Sequence, residues 1–488
     1  LSAVLWTAFA MGSQAIVQVL SITMLARLIT PGDFGVFSAA LLATGLLSIF
    51  SQFGIGSAIV QRRVLEERHL RTGFTLSLLL NIGFQILIWI AAPLISAFFK
   101  IPELTSVMRF SSLVFTCQAV SVVAEALVQR DLRFGWLSRM EAITFTIGFV
   151  GVGLPLAWIE LGVWALAGAH VTQHSLRTLV LLVRQPHPKA LQLDWRTVRE
   201  LLHFGSGLTL ARLGNYLAQQ GDQFIVGRWL GSQALGLYSH AYQLMTAPAL
   251  LVGRILDSVL FPTMAQVQLE PSRLARGYRS GLAISAVLVL PASMILAIVA
   301  PEIVLLLLGP KWLGVVPPFQ ALVLGTLFRT SDKLSDSVTR ATGAVHARAW
   351  RQAVFAVSVL ILALVGQQWG VEGVALGVLI AMTANFVMMA HLSVHLTNMR
   401  WSEFAGAHLP GVALAGVLSY PTWMFAEWLR NQSVPPIVFL LEVGLFDLSL
   451  GALLCWILPS LFLGRDVQWL IQAITELMMS SLQRSSNC

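Results

Sequence analysis

Two short stretches decide how this chain is organised: RLITPGDFGVFS at residues 27–38 and RWLGSQALGLYS at residues 228–239. At a constant offset of 201 residues, Arg27 meets Arg228, Gly35 meets Gly236, Phe37 meets Tyr238 and Ser38 meets Ser239. Both read as a junction between helices, since Gly and Pro with a short polar group punctuate otherwise apolar sequence. Chance similarity at two Gly-containing junctions explains the match less well than an internal repeat. The same offset also aligns polar residues upstream: Gln14 with Asn215, Gln18 with Gln219, and Ser21 with Asp222.

Around this repeat the composition excludes a soluble globular protein. Of 488 residues, 56% are apolar and only 11% charged, against about 25% charged in soluble domains. The mean hydropathy is +0.77. So much apolar surface needs a bilayer as its solvent. A helix crosses the hydrocarbon core with about 20 apolar residues, and fourteen such stretches are legible, from 2–29 and 34–60 through to 405–428 and 435–463. The first runs past a signal-peptide core and ends in Arg27 without a small-residue cleavage site, so it is expected to be a retained span. The breaks carry Pro, Gly and charge, as at Thr30-Pro31-Gly32-Asp33 and Lys100-Ile101-Pro102-Glu103. The repeat offset carries the first span onto the seventh. Six spans is an even number, so the halves have parallel topology about an axis along the membrane normal. The expected fold is therefore an all-α polytopic membrane protein with about 14 transmembrane helices. Residues 1–190 and 191–400 form two parallel six-helix lobes, 401–463 two extra helices, and 464–488 an amphipathic tail on the inner surface.

Orientation follows from Lys and Arg in the short loops. Loops after even-numbered spans, together with the tail, hold twenty of them, beginning with Arg62, Arg63, Arg68 and Arg71. Loops after odd-numbered spans hold five: Arg27, Lys100, Arg228, Lys311 and Arg430. This bias places both termini in the cytoplasm. The net charge of +8 marks one membrane face rather than a nucleic-acid partner.

Ionisable residues inside a span are costly and face protein or water. Span seven carries Arg212, Asn215, Gln219 and Asp222 at spacings of three, four and three, with Tyr216 adjacent, all on one helical face. Span one carries the matching Gln14, Gln18 and Ser21. Span eight has Arg254 and Asp257; span ten has Arg329, Asp332, Lys333 and Asp336; span six has His170, Gln173, His174 and Arg177; span four has Gln118, Ser121 and Glu125. These faces cannot all meet lipid and are expected to line a wet cavity. For Arg254 with Asp257, and for Asp332, Lys333 and Asp336, two readings stand side by side: neutralising pairs that pin helices at the cytoplasmic boundary, or transport groups. Arg177 is expected to snorkel to the cytoplasmic interface, and Glu442 and Asp447 to serve local structure. Arg212 and Arg329 have no acid one turn before them and sit nearer mid-span. Surplus positive charge suits a phosphate or pyrophosphate, with Arg212, Arg329, Lys333 and Arg254 as its binding residues and Gln14, Gln18, Asn215 and Gln219 as polar lining. Asp222 and Asp257 are candidates for ion coupling; for Asp222 the competing reading is neutralisation of a neighbour such as Arg228.

Catalytic motifs are missing. No Lys follows a Gly, which excludes a P-loop. The pairs His170/His174 and His391/His395 are followed by Val171 and Leu392, not by the Glu of a zinc hydrolase. There is no nucleophile elbow and no Asp-x-Asp metal pair. The three cysteines, Cys117, Cys455 and Cys488, give no disulfide framework. No cofactor and no metal are expected, and a carrier rather than an enzyme is the reading that remains.

Several stretches together then show a resemblance: LARLITPGDFGVFS (25–38), FGIGSAIVQRR (53–63), LVQRDLRF (127–134), HFGSGLTLARLGNYLAQQGDQFIVGRWLG (203–231) and LGPKWLGVVPPFQAL (308–322). The chain resembles the Wzx-type polysaccharide flippases of the multidrug/oligosaccharidyl-lipid/polysaccharide flippase superfamily, in its exopolysaccharide branch of the colanic-acid and xanthan type. The likeness spans nearly the whole chain and is strongest over 20–340. It implies two six-helix lobes, two further helices and a central cavity open alternately to each side. It implies an undecaprenyl-pyrophosphate-linked oligosaccharide as cargo, moved from the cytoplasmic to the periplasmic leaflet for exopolysaccharide or O-antigen synthesis. The membrane lipid, the polysaccharide polymerase and the export machinery are the implied partners, and nucleic acid is not. Of the family's basic cavity residues, the resemblance carries over only Arg329, which follows the Lys311-Trp312 motif; Arg212 and Lys333 rest on the reading of the spans alone.

The competing reading is a small-molecule or drug cation antiporter of the same superfamily. Such a carrier usually has an acidic cation site in its N-terminal lobe, where this chain has Gln14 and Gln18. A major-facilitator transporter would carry a Gly/Asp/Arg signature in its second loop, and residues 61–71 lack Gly. A polysaccharide polymerase would need a large periplasmic loop, and no loop is long enough.

Overall fold

The structure is a computed structural model that describes residues 17–246, 264, 270–464 and 466–468. It is an all-α, multi-spanning membrane fold, with no strand among the described residues. Eight helices are long and apolar enough to cross a membrane among those residues, nine if the bent pair Pro310–Leu324 and Thr326–Ala341 forms one span. The chain divides into two compact units, residues 1–239 and 240–488.

In the first unit the helices run α1 (Val17–Leu28), α2 (Pro31–Gln52), α3 (Ile55–Gln61), α4 (Glu67–Phe99), α5 (Leu104–Ser111), α6 (Leu113–Arg130), α7 (Phe134–Trp158), α8 (Val163–Arg184) and α9 (Trp195–Ile225). Helix α10 covers residues 231–246 and carries the chain into the second unit. The start of α2 lies at the expected break. Thr30 is its N-cap, with Pro31 in the first turn, and the Asp33 backbone N–H donates to Thr30 Oγ1 at 3.2 Å. Such a cap is worth about 1 kcal/mol, and Pro31 there loses no hydrogen bond the helix needs. Asp194 caps α9 in the same way, accepting from the Arg196 and Thr197 backbone N–H groups and from the Thr197 hydroxyl. Those bonds, the hydroxyl's foremost, hold its carboxyl below the usual range.

The sequence reads one continuous span over 34–60, and the structure breaks it. Phe53 turns into the left-handed region at φ 37 and Gly54 follows at φ 69, so α3 leaves at a new angle. Hydropathy does not register such a break, because both halves stay apolar. The freed carbonyls at the end of α3 are met by Arg130 of α6, whose guanidinium donates to Ile59 O at 3.1 Å, Val60 O at 3.3 Å and Arg62 O. This is the end of a helix where carbonyls lack partners, and a cation there also matches the helix dipole. The connection from α8 to α9 is strapped to α4: the Gln192 backbone N–H donates to Thr75 Oγ1 at 3.0 Å, and His187 packs edge-on against Phe74 with ring centroids 5.6 Å apart.

The second unit holds α11 (Pro271–Ile298), α12 (Ala300–Leu307), α13 (Pro310–Leu324), α14 (Thr326–Ala341), α15 (Val345–Gly366), α16 (Gly370–Thr397), α17 (Trp401–Asn431) and α18 (Pro436–Ile457). Helices α15 and α16 form an antiparallel hairpin in glycine-to-backbone contact. A Cβ on Gly366 would stand 2.3 Å from the Gly373 carbonyl oxygen, and one on Gly377 would stand 2.6 Å from that of Leu362. The chain turns between them at Gly370, with φ 72. Asp447 of α18 accepts a hydrogen bond from Thr422 of α17.

Candidate functional site

Helix α9 is the most polar long helix of the first unit, and its polar face opens onto a cavity of about 250 Å³. Arg212, Asn215, Tyr216, Gln219 and Gln220 line it from α9; Ser48, Ile49 and Gln52 line it from α2. Spacings of three and four put the α9 residues on one face, and the four-residue step from Ser48 to Gln52 does the same on α2. Tyr216 fixes the approach of the two helices by donating to Leu42 O at 2.8 Å. Its ring needs Gly45, because a Cβ there would stand 2.8 Å from the Tyr216 hydroxyl. Gln219 Nε2 donates to Asn215 Oδ1 at 2.9 Å, which orients both amides along the wall.

The cavity's charge comes from Arg212. The guanidinium reaches Ser57 Oγ at 3.4 Å, a weak contact, and makes no ion pair among the described residues. No carboxylate lines the cavity among the described residues. A half-buried guanidinium without a counter-charge offers a fork of donors to an oxyanion.

Arg212, Asn215 and Gln219 thus come together, and two other predicted positions, Asp222 and Gln18, lie elsewhere. Asp222 is 1% exposed and belongs to the junction of α9 with α10, where it accepts from the Tyr238 hydroxyl at 2.6 Å. Gln223 beside it accepts from Ser239 Oγ at 3.0 Å and donates to Gln220 Oε1 at 2.6 Å. Gln18 is exposed on α1. Gln14, Arg254 and Asp257 lie outside the described residues. Ser48, Gln52 and Gln220 were not singled out from sequence. Their helical spacing was the available signal, but uncharged polar residues are common in spans.

In the second unit Arg329 stands on α14. It donates to the Tyr242 hydroxyl at 2.7 Å and lies 5.2 Å from the centre of that ring. Among the described residues it makes no ion pair, and its charge acts on Asp332 of its own helix. Lys333, one turn on, is half-buried. Asp332 accepts from Asn385 Nδ2 at 3.1 Å, and Asp336 pairs with Arg348 at 2.6 Å and Arg340 at 3.3 Å. The acids of α14 therefore have partners of their own.

Arg177 differs from its expected snorkelling. It is held inside the first unit by Glu125 at 2.7 Å and Glu141 at 3.2 Å. Acids on α6 and α7 reach it before water does, a pairing between helices that single-span reading misses.

Fold and polar faces define the class: an all-α, multi-spanning membrane protein with ionisable groups kept on internal faces. Its fold is that of the lipid II flippase MurJ in an inward closed conformation, with a TM-score of 0.77 at 14% identity over 94% of this chain and 98% of that one. The family described as "Polysaccharide biosynthesis protein" matches residues 24–317, and the chain belongs to that family. It is similar to the teichuronic acid biosynthesis protein TuaB of Bacillus subtilis, 25% identical over 88% of this chain and 90% of that protein. It is also similar to the lipopolysaccharide biosynthesis protein WzxC of Escherichia coli, 27% identical over 78% of each.

Proposed function

We propose that this protein flips an undecaprenyl-pyrophosphate-linked oligosaccharide from the cytoplasmic to the periplasmic leaflet of a bacterial inner membrane by alternating access. The observation that carries the reading is Arg212, a guanidinium in a polar cavity without a carboxylate partner among the described residues. Such a cavity favours a pyrophosphate and repels the cation that a drug antiporter would bind. Arg329, which makes no ion pair among the described residues, supplies a second cation in the other unit. The fold shared with a lipid II flippase and the polysaccharide-related names of the relatives support a lipid-linked glycan as cargo.

Fourteen spans in two six-helix lobes with two extra helices belong to the same proposal. Helices α8 and α9 are too polar to pass a test of apolarity, but polar helices in a carrier face its cavity rather than lipid. The hairpin of α15 and α16 supplies two spans from one apolar stretch of 53 residues.

The test is polymer output in a strain lacking the chromosomal copy, with protein level held constant. Arg212→Ala should lose at least ten-fold and Arg212→Lys less, because Lys keeps the charge and loses the bidentate fork. Normal output from Arg212→Ala would remove this cavity from the cargo's path.

A further inference from the structure

We propose that the first unit carries a second anion site, separate from the Arg212 cavity, that takes the phosphate of a lipid headgroup. A cavity of about 500 Å³ lies where the turn after α4 meets the turn between α9 and α10. Lys100 and Glu103 line it from the first turn, and Arg228, Trp229, Gly231 and Ser232 from the second. Local structure sets each group in place. Lys100 ends α4 in the left-handed conformation, φ 58, with its backbone N–H turned back to Ala97 O. Arg228 stands in a single widened turn, Val226–Leu230, of the kind that recurs at functional sites. Gly231, at φ 88, then redirects the chain, and the first turn of α10 follows, with the positive end of a helix dipole.

The Arg228 guanidinium is the reason to expect a ligand. It lies over two aromatic rings, 5.5 Å from the centre of Phe98 and 5.8 Å from that of Trp229. Ring faces attract the charge but accept none of its N–H bonds well. Nη1 is shut off from water and has no hydrogen-bond partner. Neither Arg228 nor Lys100 makes an ion pair among the described residues, with Glu103 or any other acid. A guanidinium nitrogen left unbonded is unfavourable; turned toward the cavity it would bond a phosphate through several acceptor oxygens, while Lys100 adds a second positive charge.

The flanking rings give the ligand a tail. Phe98 is 45% and Trp229 48% exposed, and aromatic side chains beside cations at the end of a span mark the membrane–water interface. A phosphate held there is on a lipid rather than free in solution. Two sources share that chemistry: bulk anionic phospholipid, and the polyprenyl pyrophosphate of the proposed cargo. Because phospholipid alone would fill the site, the inference stands whether or not the proposed function does.

Native mass spectrometry of the purified full chain separates the sources. The probes are dioleoyl-phosphatidylglycerol, undecaprenyl pyrophosphate and, as a tail without phosphate, dioleoylglycerol. All are titrated against wild type and the double variant Lys100→Asn/Arg228→Gln, each also carrying Arg212→Ala to silence the first cavity. The double variant should lose one bound phosphate lipid, with about a ten-fold fall in affinity, and keep its dioleoylglycerol binding. Loss confined to phosphatidylglycerol assigns bulk lipid; loss confined to undecaprenyl pyrophosphate assigns cargo. Unchanged affinity for both in a variant with the wild-type melting temperature overturns the site. Should Arg228→Gln not fold, Lys100→Asn alone decides, since Asn tolerates the left-handed backbone: about a three-fold loss is expected, and no loss overturns the proposal.

Discussion

Gly35 and Gly236, which stand 201 residues apart at the same place in the two matching sequence stretches, pack against each other in the structure. A Cβ on Gly35 would stand 1.7 Å from the Ser232 carbonyl oxygen, and one on Gly236 would stand 1.9 Å from that of Pro31. The contact is reciprocal, because Ser232 follows Pro31 by the same 201 residues that separate the two glycines. Reciprocity of this kind is what a local two-fold axis through the crossing of α2 and α10 produces.

Alanine at either glycine should force α2 and α10 apart. The obstacle is a backbone carbonyl, which cannot rotate away as a side chain would, so the cost should reach the about 1–3 kcal/mol of an overpacked contact or exceed it. Thermal unfolding in detergent should show a fall of several degrees for Gly35→Ala and Gly236→Ala. Wild-type melting of both would mean that the helices do not cross this closely.

The charge bias predicts which loops face the cytoplasm. In a chain without its own cysteines (Cys117→Ala, Cys455→Ala, Cys488→Ala), single cysteines placed at the exposed positions Arg68 and Arg276 should resist an impermeant thiol reagent in intact cells. Cysteines at Glu103 and Lys311, also exposed, should react. Glu302 is a poorer probe of that face, since it is 8% exposed and bonds Arg430 at 2.8 Å. Labelling in the opposite sense would invert the topology.

Helix ends at Thr30-Pro31 and Lys100-Ile101-Pro102 were legible because capping chemistry is local: an N-cap hydroxyl, a proline without an N–H, a residue turned left-handed. The interruption at Phe53-Gly54 and the widened turns at Ile147–Gly153 and Val226–Leu230 were not, since they change backbone register without changing apolar content. The polar face of α9 was readable from spacing alone. That Arg212 and Asn215 share a cavity while Asp222 closes a junction was not, because one helical face runs past several neighbours. The partners of Arg177 were hidden likewise: Glu125 and Glu141 lie on other helices, 52 and 36 residues away.

His187 gives the fold a pH dependence outside the spans. Burial against Phe74 is the main cause that lowers its pKa from the usual 6.5, with Lys189 adding to it and a contact to Gln185 O opposing. The unfolded chain therefore takes up the proton first as pH falls. The stability His187 contributes is complete above about pH 6.5 and is lost as pH drops below that value. The melting temperature should fall between pH 7.5 and 5.5, and His187→Gln should show a smaller fall. An equal fall in both would place the titrating group elsewhere.

Of the two candidates for coupling the proposed flipping to a proton gradient, Asp222 is the one among the described residues. No nucleotide motif supplies energy, and a carboxylate that is protonated on one side of the membrane and released on the other biases two states by its differential affinity for the proton. Asp222 holds α9 to α10 by accepting from Tyr238 at 2.6 Å, so its position responds to any movement of that junction. Substitution separates structure from protonation here. Asp222→Asn keeps an oxygen to accept the Tyr238 hydroxyl and cannot ionise, so the junction should survive and the wild-type melting temperature be held within a few degrees. Tyr238→Phe removes the bond and keeps the carboxylate, at a cost of about 1–2 kcal/mol in stability. In proteoliposomes with an imposed pH gradient, flipping by wild type and Tyr238→Phe should respond to the gradient, and flipping by Asp222→Asn should continue at a rate that ignores it. A wild type that ignores the gradient ends proton coupling for this carrier, and an Asp222→Asn variant that responds as wild type does moves the coupling site elsewhere.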